Sequence, residues 1–238
     1  MIFGSVGTVS SSWEPPIPMS GLLEWYEPGN TAGITIGNDD APMDKMINLV
    51  NPEGSSYQQL GTSEFGSDSL GATTITSTAS PTNRWYNSTN WSALTAYTII
   101  IISKYNSEEF DRKNTFIQSG SIDPAFKFGN AEGSENVCIV NGTTIYGPIV
   151  NADTNWAMYT LSGSVANNLH FYRNTFDLLG GGAANFQSLP SGTLIFTNSS
   201  PYTSSSVGAI LLYSREITEK ERNSVFQHYK KQFPLSDT

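Results

Sequence analysis

The sequence predicts an all-β domain, a two-sheet antiparallel sandwich of the jelly-roll type, with one short C-terminal helix and an extended N-terminal arm. Short β-branched and aromatic runs recur between turn signals along most of the chain. Charged residues make up only 14% of the composition, so Ser, Thr, Asn and Gly supply most of the polarity, as short strands joined by many turns require. All-β domains often reach about 200–250 residues, so the 238 residues fit one domain.

The predicted strands are short runs rich in β-branched and aromatic residues. They cover residues 22–26, 46–50, 73–76, 97–104, 115–119, 125–128, 137–140, 143–146, 156–161, 169–173, 193–196 and 207–213. Residues 97–104 contain an apolar run without alternation, so we expect both faces of this strand to be covered. The Asn141-Gly142 pair predicts a tight hairpin. Residues 55–72 are polar and turn-like.

A single helix is predicted near the C-terminus. Thr218 followed by Glu221 fits a capping box, in which each side chain satisfies a backbone N–H of the other residue. Pro234 ends the helix. Its apolar stripe consists of Val225, Phe226 and Tyr229. We expect the stripe to pack on the sandwich, and docking of a partner on it is the alternative.

Charge and composition exclude several classes of function. The net charge of −9 argues against nucleic acid as a partner, and no apolar run approaches the roughly 20 residues that membrane insertion needs. No Lys or Arg precedes Lys45, so we expect no signal peptide. The single cysteine, Cys138, rules out an internal disulfide and is expected in the core. Two histidines supply too few ligands for a metal site, so we predict no metal and no cofactor, although an acidic loop at 39–44 leaves calcium open.

Residues 1–19 form the predicted arm, and residues 20–238 form the sandwich. Gly, Ser and Thr dominate the arm before a Pro-rich stretch at 14–18, which favours extended backbone. Two interpretations remain open, a frayed terminus and an arm that docks on a neighbouring subunit. The candidate docking residues are Phe3, Trp13, Pro15 and Pro16.

The sequence argues against catalysis. Some members of the jelly-roll fold that the chain resembles are glucanases, and their site is a strand bearing Glu-x-Asp-x-x-Glu, with one carboxylate as nucleophile and another as acid/base. The nearest string here runs from Glu109 through Asp111 to Asn114, and Asn114 stands where the second glutamate is needed. Neither a Gly-x-Ser-x-Gly elbow nor a P-loop occurs. We therefore predict no catalytic residues.

One aromatic run has the composition of a glycan-binding surface. Sugar rings stack on aromatic faces, and amides bond the hydroxyl groups. The candidate ligand-binding residues are Trp85, Tyr86, Asn87 and Trp91. The alternative is that Trp85 and Trp91 fill the edge of the sandwich.

The order of the segments resembles the concanavalin-A-like and laminin-G-like jelly-roll family over about residues 20–235. Residues 21–30 resemble its opening "GL-x-x-Y-x-x-GN" strand, and residues 169–175 its "L-Y-V-N-G" hairpin, from which Arg173 and Thr175 depart. Residues 208–221 resemble its ending "G-x-I-x-E-x-x-I-Y-N-R-x-L-T-x-x-E", with Ser214 in place of Asn.

Stand-alone domains of this kind are similar to phage virion proteins, in capsid decoration, tail or host-attachment roles. The resemblance implies a non-enzymatic module at the virion surface. It would be a homo-oligomer, bound to other virion proteins through its arm, and would contact host glycans. A lectin-like adhesin is the alternative function, and a glycan-active hydrolase is the weakest one.

Overall fold

A computed structural model describes the fold. It describes residues 17–27, 34–35, 45–51, 56–60, 63–67, 73–77, 84–87, 93–105, 114–119, 126–130, 136–141, 144–151, 154–179, 186, 188–189, 194–198 and 205–237. Side chains are described within 17–27, 48–51, 93–105, 154–179, 186, 188–189 and 206–237, and the other strands by their backbone and register.

The described residues form seventeen strands and one helix. The strands are β1 (Leu22–Tyr26), β2 (Ile34–Thr35), β3 (Lys45–Ile47), β4 (Ser56–Leu60), β5 (Ser63–Ser67), β6 (Thr73–Ser77), β7 (Arg84–Asn87), β8 (Ala96–Tyr105), β9 (Asn114–Ser119), β10 (Phe126–Asn130), β11 (Asn136–Asn141), β12 (Thr144–Asn151), β13 (Ala157–Ser164), β14 (Asn167–Arg173), β15 (Phe176–Asp177), β16 (Leu194–Asn198) and β17 (Ser205–Tyr213). The helix α1 spans Glu219–Lys230.

The strands form two sheets, and within each sheet every pair of neighbouring strands is antiparallel. Sheet A has the order β15-β14-β13-β8-β17-β6-β5, with β1 paired along the second half of β17. Sheet B has the order β12-β11-β10-β9-β16-β7-β4-β3-β2. The predicted all-β sandwich with a single short C-terminal helix is confirmed.

Strand β8 lies inside sheet A between β13 and β17, as its unalternating apolar run predicts. Residues 99–102 are four isoleucines, each 0% exposed, so both faces of the strand are covered. Ile100 and Ile102 belong to the core beneath the helix. Ile99 and Ile101 alternate with them and therefore lie on the opposite face of sheet A.

The helix closes the outer face of sheet A, and its capping box is confirmed. The Thr218 hydroxyl accepts from the Glu221 backbone N–H at 3.2 Å, and the Glu221 carboxylate accepts from the Thr218 N–H at 2.8 Å. The predicted stripe is buried against the sheet. The core on this side consists of Ile17, Leu22, Ile100, Ile102, Trp156, Met158, Ala209, Leu211, Tyr213, Ile217, Val225, Phe226, Tyr229, Phe233 and Leu235.

The prediction for residues 55–72 is wrong, because this segment contains all of β4 and β5. Their sequences, SYQQL and SEFGS, have few β-branched residues. They are held as strands by pairing with β7 and β6, and strand preference depends on such partners more than on intrinsic propensity. Strands β2, β7 and β15 are also additions to the predicted set.

The predicted strand at 46–50 ends earlier, at Ile47, because the Asn48 side chain takes over the pairing. Its Oδ1 accepts from the Trp25 N–H at 3.1 Å and from the Val50 N–H at 3.0 Å. Its Nδ2 donates to the Leu23 carbonyl at 3.0 Å. Asn48 is 0% exposed, so this amide replaces a stretch of strand ladder in the interior.

Two predicted hairpins are confirmed by the register. Asn141 pairs with Thr144, which leaves a two-residue connection between β11 and β12. Arg173 pairs with Phe176 around a second two-residue turn, where Asn174 adopts φ 55°. Asn tolerates this left-handed conformation better than most residues, which accounts for an asparagine at that position.

The part of the predicted arm that is described packs on the sandwich. Ile17 is 2% exposed and belongs to the core beneath the helix. The arm candidates Phe3, Trp13, Pro15 and Pro16 lie outside the described residues, so their role stays a prediction. Among the residues described, no helix has the length and apolar character needed to cross a membrane.

Candidate functional site

A row of mostly polar residues crosses the middle of sheet B. Residues that face each other across an antiparallel pair lie on the same side of a sheet, so the register shows which residues share a face. The pairs Lys45–Gln58, Gln58–Tyr86, Tyr86–Ile195, Ile195–Gln118 and Gln118–Lys127 connect six strands in one line. We call this line of residues the Tyr86 row.

The opposite face of sheet B carries apolar rows. Trp85 pairs with Phe196, and Ile117 is paired in line with Phe128, Ile139 and Tyr146. In a sandwich the apolar face of each sheet packs against the other sheet. The register therefore places the Trp85 side and the Tyr86 row on opposite faces of sheet B.

The four glycan-binding candidates are divided by this arrangement. Trp85, Tyr86 and Asn87 all lie on β7, where consecutive residues alternate between the two faces. Tyr86 is thus separated from Trp85 and Asn87, and Trp91 lies outside the described residues. Glycan contact by any of the four stays a prediction, but the three on β7 cannot line one surface together.

Sequence reasoning missed the rest of the Tyr86 row. The rest of the row comes from five other strands, none of which adjoins the aromatic run in sequence, and consists of Lys45, Gln58, Ile195, Gln118 and Lys127. Only the pairing of distant strands brings them into line. The Phe-Lys-Phe alternation along β10 is the one local signal that could have suggested a polar face there.

A second candidate is a surface cleft of about 470 Å³ beside the first turns of α1. The β14–β15 turn forms one wall, and Asn174 fixes that wall. The Asn174 N–H donates to the Met158 carbonyl at 2.7 Å, and its Oδ1 accepts from the Met158 N–H at 2.9 Å. The lining residues are Asn174, Thr175, Glu219, Lys220, Arg222, Asn223 and Phe226.

The main cation of this cleft is engaged in an internal contact. The Arg222 guanidinium lies 3.6 Å from the centre of the Tyr172 ring, a cation–π stack. Burial raises the pKa of Tyr172, and the nearby Arg222 charge opposes that rise. Because Arg222 covers one face of the ring, Tyr172 presents less aromatic surface to a sugar. The cleft also carries Glu219 beside Lys220, so its charge has no single sign.

Glu27 is a half-buried carboxylate with structural partners. Burial raises the pKa of Glu27, while hydrogen bonds to Gln232 and Trp25 act in the opposite direction. The Trp25 indole N–H also donates to the Tyr229 hydroxyl at 3.1 Å. The contacts of Trp25 join β1 to the helix. The contacts of Glu27 named here include no second carboxylate that could act with it in acid–base chemistry.

Residues 208–221, which resemble the ending of the jelly-roll family, also have a structural role around Arg215. The Arg215 guanidinium donates to both Glu221 oxygens, at 2.9 and 2.5 Å, and its Nε donates to the Ser20 carbonyl at 2.9 Å. Gly21, at φ 74°, lies against the same side chain. Arg215 therefore ties the entry to β1, the end of β17 and the start of α1 together.

The remaining candidates are the carboxylates near Asn114, the two histidines and a metal site. Asn114 opens β9, and residues 106–113 lie outside the described set, so the environment of Glu109 and Asp111 is not defined. His170 lies 3.4 Å from Asp177, and the His228 ring bonds to Gln232 at 3.1 Å. Within the described ranges, no three His, Cys, Asp or Glu residues are grouped as a metal ion would need.

No protein-family profile matches the chain, and no curated protein sequence is significantly similar to it. Solved structures do share its fold. The binding domain of botulinum neurotoxin DC in complex with rat synaptotagmin II superposes with a TM-score of 0.61 at 11% identity, over 87% of this chain and 51% of that one.

Two further structures match as well. Botulinum neurotoxin type C, whose cell entry depends upon interaction with two ganglioside molecules, gives a TM-score of 0.62 at 13% identity, over 90% of this chain and 52% of that one. The binding domain of paraclostridial mosquitocidal protein 1 gives 0.60 at 13% identity, over 88% and 52%. The chain thus spans about half the length of these structures, and at such identities the likeness establishes the fold alone. Neither a phage origin nor virion partners follow from it.

Proposed function

We propose that the protein is a non-catalytic carbohydrate-binding module of the adhesin type, which binds glycans across the face of sheet B that carries the Tyr86 row. The observation that carries this proposal is the Tyr86 row, a line across six strands in which Tyr86 has Gln58 on one side and Ile195 followed by Gln118 on the other. The fold was predicted to serve either a virion or a lectin-like role, and this geometry favours the second.

The composition of the row suits sugar recognition. A tyrosine ring offers an apolar face for the C–H side of a pyranose, and its hydroxyl remains available for a hydrogen bond. The amides of Gln58 and Gln118 provide donors and acceptors, which matches the mixed character of sugar hydroxyl groups. Sheet strands hold these positions on a rigid surface, so little ordering entropy opposes binding.

The fold comparisons support a binding role in a limited way. The similar structures include domains described as receptor-binding, and one of those toxins interacts with gangliosides. The matched binding domains are about twice as long as this chain. The proposal that the ligand is a glycan therefore rests on the Tyr86 row. The proposal that the protein is not an enzyme rests on Asn114, which stands in place of a catalytic glutamate.

A glycan array tests the proposal directly. Wild-type protein should bind a defined set of oligosaccharides, and Tyr86→Ala should weaken that binding about tenfold, equivalent to about 1.4 kcal/mol. The matched control is Phe176→Ala, which removes a ring that is 64% exposed at the edge of sheet A. An array without hits for the wild type, or equal loss in both variants, would refute the proposal.

The virion role remains a separate candidate that depends on residues 1–16. Because Ile17 belongs to the core, a deletion should stop at residue 16 and leave Ile17 in place. The deleted protein should fold and bind glycans normally but fail to enter particles. If mass spectrometry finds no copy of the chain in purified particles, the virion role and the location at the virion surface are excluded. A measurement of molecular size in solution tests the expected homo-oligomer.

A further inference from the structure

We infer that the ligand of the Tyr86 row is an extended anionic oligosaccharide that runs across the strands, with its acidic groups directed to Lys45 and Lys127. This inference rests on the proposed function and adds the class of the ligand. Lys45 and Lys127 lie at the two ends of the Tyr86 row, with Gln58, Tyr86, Ile195 and Gln118 between them. Beyond the lysines, the register continues to Thr35 on one side and to Val140 and Ile145 on the other, and none of these three carries a charge.

The position of these lysines is unusual for the chain. The protein has only 12 Lys and Arg residues against 21 acidic ones. Exposed lysines often protect the edges of a sheet from pairing with other chains. Lys45 lies on β3 between β2 and β4, and Lys127 lies on β10 between β9 and β11, so neither is on an edge strand. Edge protection does not explain them.

A third cation lies on the same face. Arg84 is two residues from Tyr86 on β7 and therefore shares its side of the sheet. The net charge of −9 repels anions at long range, but salt screens this repulsion beyond about 8 Å at physiological ionic strength. Close to the sheet, the three local cations decide the sign of the interaction.

The spacing of the strands sets the length of the ligand. Neighbouring strands lie about 4.8 Å apart, so Lys45 is about 10 Å from Tyr86 across two strand steps, and Lys127 is about 14 Å away across three. A ligand that stacks on Tyr86 and reaches both lysines must therefore extend about 24 Å, measured as five strand steps. A monosaccharide or disaccharide can reach only one of them.

The chemistry identifies an anion without specifying its acid group. Carboxylated and sulfated sugars both place negative charge on the ring substituents, and a lysine ammonium binds either one as a compact point charge. A carboxylated oligosaccharide, its carboxyl-reduced counterpart and a sulfated oligosaccharide of the same length separate these cases. Their relative affinities identify the acid group.

Titration calorimetry with these three probes tests the inference. The anionic probes should bind at least about tenfold more tightly than the reduced one. Each of Lys45→Gln and Lys127→Gln should weaken the anionic probes by roughly two- to fivefold, as one exposed charge pair allows, and leave the reduced probe unchanged. Lys231→Gln, the same exchange at the exposed residue that follows α1, is the control and should have no effect.

The outcomes separate the two proposals. Equal affinity for the carboxylated and reduced probes would overturn the anionic ligand while leaving glycan binding intact. Equal losses in Lys231→Gln and the row variants would also overturn it, since general charge would then explain the effect. Absence of binding to all three probes, together with an array without hits, would remove the proposed function as well.

Discussion

Replacement of Glu221 by Gln tests the ion pair that closes the fold. The Glu221 carboxylate accepts two hydrogen bonds from Arg215 and one from the Thr218 backbone N–H. Glutamine also fits the third position of a capping box, so Glu221→Gln keeps an acceptor for Thr218. The variant therefore removes the charge pair and spares most of the cap.

The pKa of Glu221 gives the size and the pH range of the effect. Arg215 is the main cause that lowers this pKa from 4.5 to about 2. A shift of that size corresponds to roughly 3 kcal/mol by proton linkage. Because the side chain is 26% exposed, solvent screening reduces the contribution, and we expect about 1–2 kcal/mol. A lowered pKa stabilises the fold above pH 4.5, and this contribution is lost as the pH falls toward 2.

Urea unfolding followed by tryptophan fluorescence measures this difference. The free energy of unfolding of Glu221→Gln should lie about 1–2 kcal/mol below that of the wild type at pH 7, and the difference should shrink below pH 4.5 and be largely lost at about pH 2. Glu219→Gln, which removes an exposed carboxylate from the same turn, is the control and should lose much less. If the difference in unfolding free energy between wild type and Glu221→Gln stays constant from pH 7 to pH 3, the ion pair is not the source of that difference.

Three further substitutions test the packing of sheet A by the same unfolding measurement. Gly208→Ala should cost about 1–3 kcal/mol, because a Cβ there would lie 2.2 Å from the Phe233 ring, and Phe233→Leu should recover part of the loss. Asn48→Ala should cost about 1–3 kcal/mol, since it removes three bonds that hold the backbone beside β1. Thr98→Val should cost a similar amount, because the buried Ile217 N–H loses its acceptor at 3.1 Å. Wild-type stability in all three would mean that these contacts contribute little.

The parts of the fold that the sequence predicts correctly are those with local physical causes. The capping box at Thr218 and the stripe from Val225 to Tyr229 lie within three turns of one helix. The run at 97–104 needs no partner to indicate a strand buried on both faces. Strands β4 and β5 were missed because their polar sequences become strands only through pairing with β7 and β6.

The candidate site was predictable only at its centre. The aromatic run on β7 contains Tyr86, but a sequence cannot show that Trp85 shares a face with Phe196, which lies far along the chain. Register across six strands also decides that Lys45 and Lys127 fall on the line of Tyr86. A slip of one residue in one pairing would move a lysine to the other face, and no local pattern excludes such a slip.

The same contrast explains how the fold is recognisable while the ligand is not. The family-like ending owes its spacing to structure, because Arg215, Thr218 and Glu221 must meet to close the helix on sheet A. Any chain that closes its sandwich in this way needs similar residues there, whatever it binds. The face of sheet B that carries the Tyr86 row has no such requirement, so its residues are free to differ between proteins of one fold. The chain is only 10–13% identical to the similar structures. The proposed ligand therefore rests on Lys45, Tyr86 and Lys127 of this chain.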